Sequence, residues 1–404
     1  MDITDQAAPR WVDTQVNGSD LLFGVESGHR YLAVGRDKAH RADVRRARSS
    51  PLKRSGNRAD YLVIGPREFL AAARDLLSLR ESQGLRVKEI PIDEVFEEFG
   101  FGEPRPEAIQ EFLSYAYHRW SGAPRYVLLL GDATYDFKDR LGTGVNNHVP
   151  PLMVKTSSLW TVSDPSLAMI NGEDPLPDVS IGRIPAADVD ELRAMVDKIL
   201  AYETEGRDLS GPAILVADDA DGAGNFEADA EDIAFTFLRS RETKKIYLSK
   251  VGVPATREAI VEALDEGASL MSYLGHGGIH LWGNENLFNR DSVAALSPQS
   301  TQPLVLTLNC LNGYFHFPYF DSLSEALVKA DGKGAIAAFS PSGMSFNGPA
   351  HRYHKALLTE ILGGGHQRLG DAVLAAQGAY AETGALPELL SIYHLFGDPA
   401  LTLR

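Results

Sequence analysis

The sequence predicts an α/β protein with mostly parallel sheets flanked by helices. Two α/β subdomains, residues 59–208 and 209–404, follow an N-terminal extension and basic linker, residues 1–58. Three observations carry this prediction. From Tyr61 onward, short apolar runs alternate with amphipathic segments of helical period, the order that builds parallel sheets. Runs such as Tyr126-Val-Leu-Leu-Leu130 are apolar at every position, as a strand buried on both faces must be. Glycine or another strand-breaking residue follows these runs, which marks where each strand stops.

Residues 1–35 hold short apolar alternations, Leu21-Leu22-Phe23 and Tyr31-Leu32-Ala33-Val34, too short to make a domain of their own. Residues 40–57 are rich in Arg and Ser, with Arg45-Arg46-Ala47-Arg48 and Lys53-Arg54, and read as a solvated linker. In the first half, strands are expected at 61–64, 85–90, 126–130 and 179–184, with helices at 67–82, 107–120 and 188–203. The stretch 133–177 is a long Pro-, Gly-, Asn- and Asp-rich loop, a length that in a compact domain points to function or a bound ion. Breaker residues at 206–212 separate the halves. In the second half, strands are expected at 213–217 and 245–248, in two runs ending near residues 276 and 310, at 334–339, and within 389–404. Helices are expected at 226–239, 256–266 and 323–330 and within 350–362 and 368–382.

Bulk composition excludes several classes of function. The net charge of -16, from 39 basic and 55 acidic residues, argues against a general nucleic-acid or anionic-membrane surface. One cysteine in 404 residues leaves no disulfide framework and no Cys-based zinc site. No apolar run approaches the ~20 residues that cross a bilayer. The N-terminal Met-Asp-Ile-Thr-Asp-Gln lacks the features of a signal peptide, so the chain either stays inside or is a piece of a longer exported protein.

Two apolar runs each end in one reactive side chain. Ser269-Leu-Met-Ser-Tyr-Leu-Gly-His276 ends in an imidazole, and Leu304-Val-Leu-Thr-Leu-Asn-Cys310 in the chain's single thiol. If these strands are neighbours, the two groups meet at one rim, an arrangement suited to a thiol nucleophile with a proton-transfer partner. The backbone amides of Gly277 and Gly278 would be open to a ligand there. A lone Cys and a lone His also occur as ordinary packed residues. The pairs His276/His280 and His351/His354 have metal-ligand spacing, but neither carries the following Glu of a zinc protease.

Five pieces in order resemble the gingipain family of cysteine endopeptidases, which share the fold and His/Cys dyad of caspases, legumains and separases. They are Tyr126-Val-Leu-Leu-Leu-Gly-Asp132, Pro177-Asp-Val-Ser-Ile-Gly-Arg-Ile-Pro185, Tyr273-Leu-Gly-His-Gly-Gly278, Asn309-Cys-Leu-Asn-Gly313 and Leu395-Phe-Gly-Asp-Pro-Ala400. The resemblance implies that Cys310 is the nucleophile, that His276 moves the proton, and that the amides of Gly277 and Cys310 hold the oxyanion. It implies further that Asp218 or Asp219 orients His276 and that Trp282 walls the substrate cleft. Asp229, with Asp232 as the alternative, would line a pocket for Arg or Lys. A structural calcium ion would be held by Asp132, Asp174 and Asp178 with the carbonyls of Asn171 and Leu176. Peptide or protein substrates and a secreted or cell-surface precursor follow from the same resemblance. A sortase-like transpeptidase of the same fold and a calcium-bound binding module with a dead site are the alternatives.

Overall fold

The computed structural model describes residues 1–5, 8–35, 38 and 50–403. The chain forms two compact units, Met1–Ala47 and Arg48–Arg404. In the first unit, strands Thr14–Asn17 and Asp20–Phe23 pair antiparallel around Gly18, whose φ of 63° is the left-handed conformation a tight hairpin needs. The alternation expected at 31–34 does not extend into a strand; Tyr31 makes one isolated bridge to Asp2. The basic run Arg45-Arg46-Ala47-Arg48 lies outside the described residues.

The second unit begins earlier than the sequence suggested. Lys53 and Arg54, expected in a solvated linker, belong to a docked segment. Leu52 is buried, its carbonyl accepts from Trp120 Nε1 at 2.8 Å, and the Lys53 carbonyl accepts from Tyr115 Oη at 2.8 Å. Two apolar partners and two satisfied carbonyls outweigh the local charge.

Ten strands form one sheet, to which both predicted halves contribute. In chain order they are β1 (Tyr61–Gly65), β2 (Val87–Pro91), β3 (Tyr126–Leu130), β4 (Ser180–Ile184), β5 (Ala213–Ala217), β6 (Thr243–Tyr247), β7 (Leu270–Leu274), β8 (Leu304–Thr307), β9 (Ala337–Pro341) and β10 (Tyr393–Phe396). Their spatial order is β6-β5-β7-β8-β9-β10-β4-β3-β1-β2. Every pairing is parallel except β9 with β10, and β10 is parallel to β4, so β1–β4 point opposite to β5–β9.

The helices used below are α1 (Val189–Thr204), α2 (Phe226–Phe237), α3 (Leu323–Lys329) and α4 (Asn347–Leu362). Alternation along the strands divides the core into two layers. Leu62, Ile64, Val127 and Leu129 pack with Ile109 and Phe112 of the helix Pro106–Arg119. Tyr61, Val63, Leu128 and Leu130 face the other side, in a core continuous with the second half. The expected helix 67–82 is two helices, because Ala73 (ψ 3°) leaves helical geometry. After β7 the chain forms a small antiparallel sheet of Gly277–Gly278, Leu281–Trp282 and Phe288–Asn289 that the sequence did not suggest.

Candidate active site

β7 and β8 are adjacent and parallel, with Tyr273 opposite Thr307. Three residues further along each chain stand His276 and Cys310, so the register brings both to one level of one edge. The two loops then touch. A side chain at Gly277 would meet the Cys310 carbonyl oxygen at 2.5 Å, a space only glycine leaves open. The Asn309 side chain donates to Asn312 Oδ1, and Asn312 Nδ2 donates to the carbonyls of Gly278 and Leu281 at 2.5 and 3.1 Å. These amides lace the cysteine loop to the histidine loop.

His276 is held through its backbone and paired through its ring. Its amide donates to Asp218 Oδ2 at 3.0 Å, and its carbonyl accepts from Tyr273 Oη at 2.7 Å. Nε2 lies 2.9 Å from Asp221 Oδ2, and Phe226 packs edge-on at a centroid distance of 5.4 Å. Asp221 sits in a turn, its amide donating to the Gly224 carbonyl at 3.0 Å and its Oδ1 accepting from the Ala223 amide at 2.8 Å. The hydrogen bond from His276, helped by those amides, holds the Asp221 carboxyl below the usual range.

The acid on the imidazole is therefore Asp221, and neither Asp218 nor Asp219. Asp218 is buried and holds the histidine backbone; burial raises its carboxyl. Asp219 is exposed and donates its amide to Asp218 Oδ1 at 3.0 Å. The missed signal was Asp221-Gly222-Ala223-Gly224, a turn composition that can aim a carboxylate back at the strand end.

Cys310 is partly exposed. Its sulfur accepts from the Ser345 amide at 3.3 Å and donates to the Ser345 carbonyl at 3.4 Å. Burial raises the thiol pKa, and the Ser345 amide offsets this in part. The following residue, Leu311, has φ 62°, a left-handed conformation costly for a side chain with Cβ. Among the described residues no hydrogen bond joins Sγ to the imidazole: the sulfur is on Ser345 and the ring on Asp221.

Asp229 lies in the first turn of α2, with Oδ2 accepting from Asn347 Nδ2 at 2.7 Å. Asn347 is two residues from Ser345, the partner of the sulfur, so Asp229 and Cys310 share one neighbourhood. Asp232 is engaged by His351 at 2.9 Å and Lys355 at 2.8 Å, and the same His351 Nε2 stands 4.0 Å from Asp229 Oδ1. Trp282 does not wall a cleft. It is fully buried and stacked on Tyr273 at 4.4 Å, because its small strand turns it into the core. The exposed apolar side chains beside the sulfur are Met344 and Phe346, which flank Ser345.

Residues 54–404 match the family described as Peptidase family C25. The chain belongs to peptidase family C25. It is 27% identical over 381 residues to gingipain R2 of Porphyromonas gingivalis, covering 88% of this chain and 47% of that one. Gingipain R1 of Porphyromonas gingivalis is also 27% identical over 381 residues, 88% of this chain and 35% of its own. The chain thus spans about half, or less, of these curated relatives. A solved structure of the Arg-specific cysteine proteinase gingipain R shares the fold, with a TM-score of 0.72 and 23% identity over 87% of this chain and 79% of that one.

The residues expected to hold calcium in this C25 chain do not converge. β3 and β4 pair from Tyr126 with Ser180 to Leu130 with Ile184, which puts Asp178 before one end and Asp132 beyond the other. The Asp132 amide donates to Ala186, eight positions after Asp178. At ~3.3 Å per residue the two acids stand roughly 25 Å apart. Asp178 Oδ2 accepts from the amides of Ile170 and Asn171, both at 2.8 Å, and Asp174 Oδ1 from the Leu176 amide at 3.0 Å. Asn171 and Leu176 thus meet these acids through N–H groups, as loop turns do, and not with carbonyls around an ion. Asp132 is buried and contacts Lys329 Nζ at 3.2 Å. The five residues do not fit one calcium ion.

Proposed function

We propose that this chain is a cysteine endopeptidase that cuts after Arg, and less readily after Lys, with Cys310 as nucleophile and His276 as proton carrier. The observation that carries the reading is that His276 and Cys310 stand at one level beyond adjacent parallel strands, with Gly277 packed on the Cys310 backbone. Cys310 Sγ attacks the scissile carbonyl carbon, and its proton passes to the imidazole. With Nε2–H donated to Asp221, Nδ1 is the nitrogen left to take that proton and give it to the departing amine. Water then cleaves the thioester with His276 as base. The amides of Gly277 and Cys310 face the developing oxyanion, a kind of contact whose loss typically costs about 10²- to 10³-fold. Burial raises the Cys310 thiol pKa and so favours the thiol over the thiolate before proton transfer.

Asp229 supports the basic preference. Its hydrogen-bond partner is a neutral amide and its nearest cationic group is His351 at 4.0 Å, whereas Asp232 is held by Lys355 at 2.8 Å and His351 at 2.9 Å. Asp229 is the acid with more of its charge left for an incoming guanidinium. Peptide or protein substrates follow, and the part-length match fits a catalytic portion of a longer, exported precursor. Among the described residues no helix is long and apolar enough to cross a membrane.

Fluorogenic peptides with Arg, Lys, Asn or Asp before the cut test the proposal. Wild type is expected to turn over the Arg peptide and Cys310→Ala to lose at least about 10⁴-fold. Equal turnover by both proteins overturns the nucleophile assignment, and an Asp or Asn preference overturns the pocket. An amine-ligated product in place of hydrolysis would move the reaction to transpeptidation.

A further inference from the structure

Lys329, the last residue of α3, is nearly buried at the centre of four carboxylates from four segments. Its Nζ lies 3.2 Å from Asp132 beyond β3, 3.5 Å from Glu191 on α1, 2.8 Å from Asp321 in the cysteine loop, and 3.6 Å from Glu325 one turn back on α3.

Each buried acid already spends one oxygen on backbone. Asp132 Oδ1 accepts from the Ala133 amide at 2.7 Å, and Glu325 Oε2 accepts from the Ser322 amide at 2.7 Å. Glu325 is 1% exposed, and its Oε1 has no hydrogen bond, with Lys329 its nearest cation. Carboxylate oxygens of Asp132, Asp321 and Glu325 lie within 4.8 Å of one another, the spacing of a metal ligand set. Three hard oxygen donors around one point supply part of the roughly six to eight oxygens that calcium takes, and here the point belongs to an ammonium.

We propose that the Lys329 ammonium takes the place of a divalent cation in this cluster, so that removing it converts the cluster into a calcium-responsive site. The consequence reaches the catalytic loop. The segment leaving Cys310 ends at Asp321, and Lys329 ties that end to the strand-β3 side of the sheet without a metal. This inference does not depend on the proposed peptidase activity.

Thermal melting of the full chain in calcium and in EGTA tests it. Lys329→Met is expected to melt several degrees below wild type in EGTA and to recover in calcium. Adding Asp321→Asn should raise the calcium needed for recovery at least tenfold. Lys329→Arg, which keeps the charge, should melt near wild type with no calcium response. The proposal is overturned if Lys329→Met melts like wild type in EGTA, or if calcium does not restore it. It also fails if Lys329→Arg responds to calcium, or if wild type loses stability in EGTA and Asp321→Asn removes that loss. Lys329→Met that folds only when expressed with calcium supports it; failure to fold in either condition counts against it.

Discussion

Two strand ends read alike in the sequence and do opposite things. Leu128-Leu-Leu-Gly-Asp132 and Ser272-Tyr-Leu-Gly-His276 are both apolar runs closed by glycine and a polar residue. Asp132 becomes a buried acid, one oxygen on a backbone amide and the other toward Lys329. His276 has its backbone fixed by Asp218 and Tyr273, while a third of its side chain stays exposed and meets one exposed acid, Asp221. The difference lies in the capacity left over. A group whose polar atoms are all used by the protein holds structure, and a group pinned by its backbone with a free ring nitrogen can exchange a proton.

That contrast can be attacked from the catalytic side first. Asp221→Asn removes the carboxylate charge and adds an N–H donor that can hold the wrong imidazole tautomer, and kcat is expected to fall about 10²-fold with melting little changed. Asp219→Asn should leave kcat as it is. Equal losses in both variants would mean that the ring is not held by Asp221 during turnover.

From the structural side the effect is smaller and falls on stability. Asp132→Asn weakens a charge-assisted contact in a buried cluster and should cost about 2 kcal/mol in urea unfolding, with kcat unchanged. A loss of kcat at unchanged stability would erase the distinction between the two strand ends.

A pH-dependent effect sharpens the contrast within one residue type. His354, behind β7 on Ser272 Oγ at 3.0 Å, and His316, within the cysteine loop, are both pushed down to about 3 by burial. A folded pKa below the unfolded value of 6.5 means the unfolded chain binds more protons between about 3 and 6.5. Stability from these groups is therefore present above pH 6.5 and lost as pH falls, by up to about 1.4 kcal/mol per pH unit for each. Urea midpoints measured from pH 7 to pH 5 should fall, and less so in His354→Gln. A flat midpoint over that range would show that these rings are not buried neutral.

Much of the fold was legible because its signals are local. Fully apolar five-residue runs such as Tyr126–Leu130 fit strands buried on both faces, and the glycine after this one marks where it ends. The helix expected at 188–203 is seen at Val189–Thr204, N-capped by Asp188. Cys310 and His276 were legible for the same reason, each standing just beyond such a run. The calcium set came from the resemblance and not from any local pattern, and the strand pairing separates it: Asp132 and Asp178 flank opposite ends of paired strands. Trp282 was misread because a two-residue strand has no pattern to show which way it faces.

The sequence by itself determined that this chain is α/β, where its strands stop, and that one thiol and one imidazole follow two of them. Strand order, the reversal of direction at β9 and β10, the choice of Asp221 over its neighbours, and the seat of Lys329 among four acids were decided by tertiary structure alone. Hydrophobic period and turn chemistry act over a few residues. Which carboxylate meets which cation depends on segments as far apart as residues 132 and 329, and only packing brings those together.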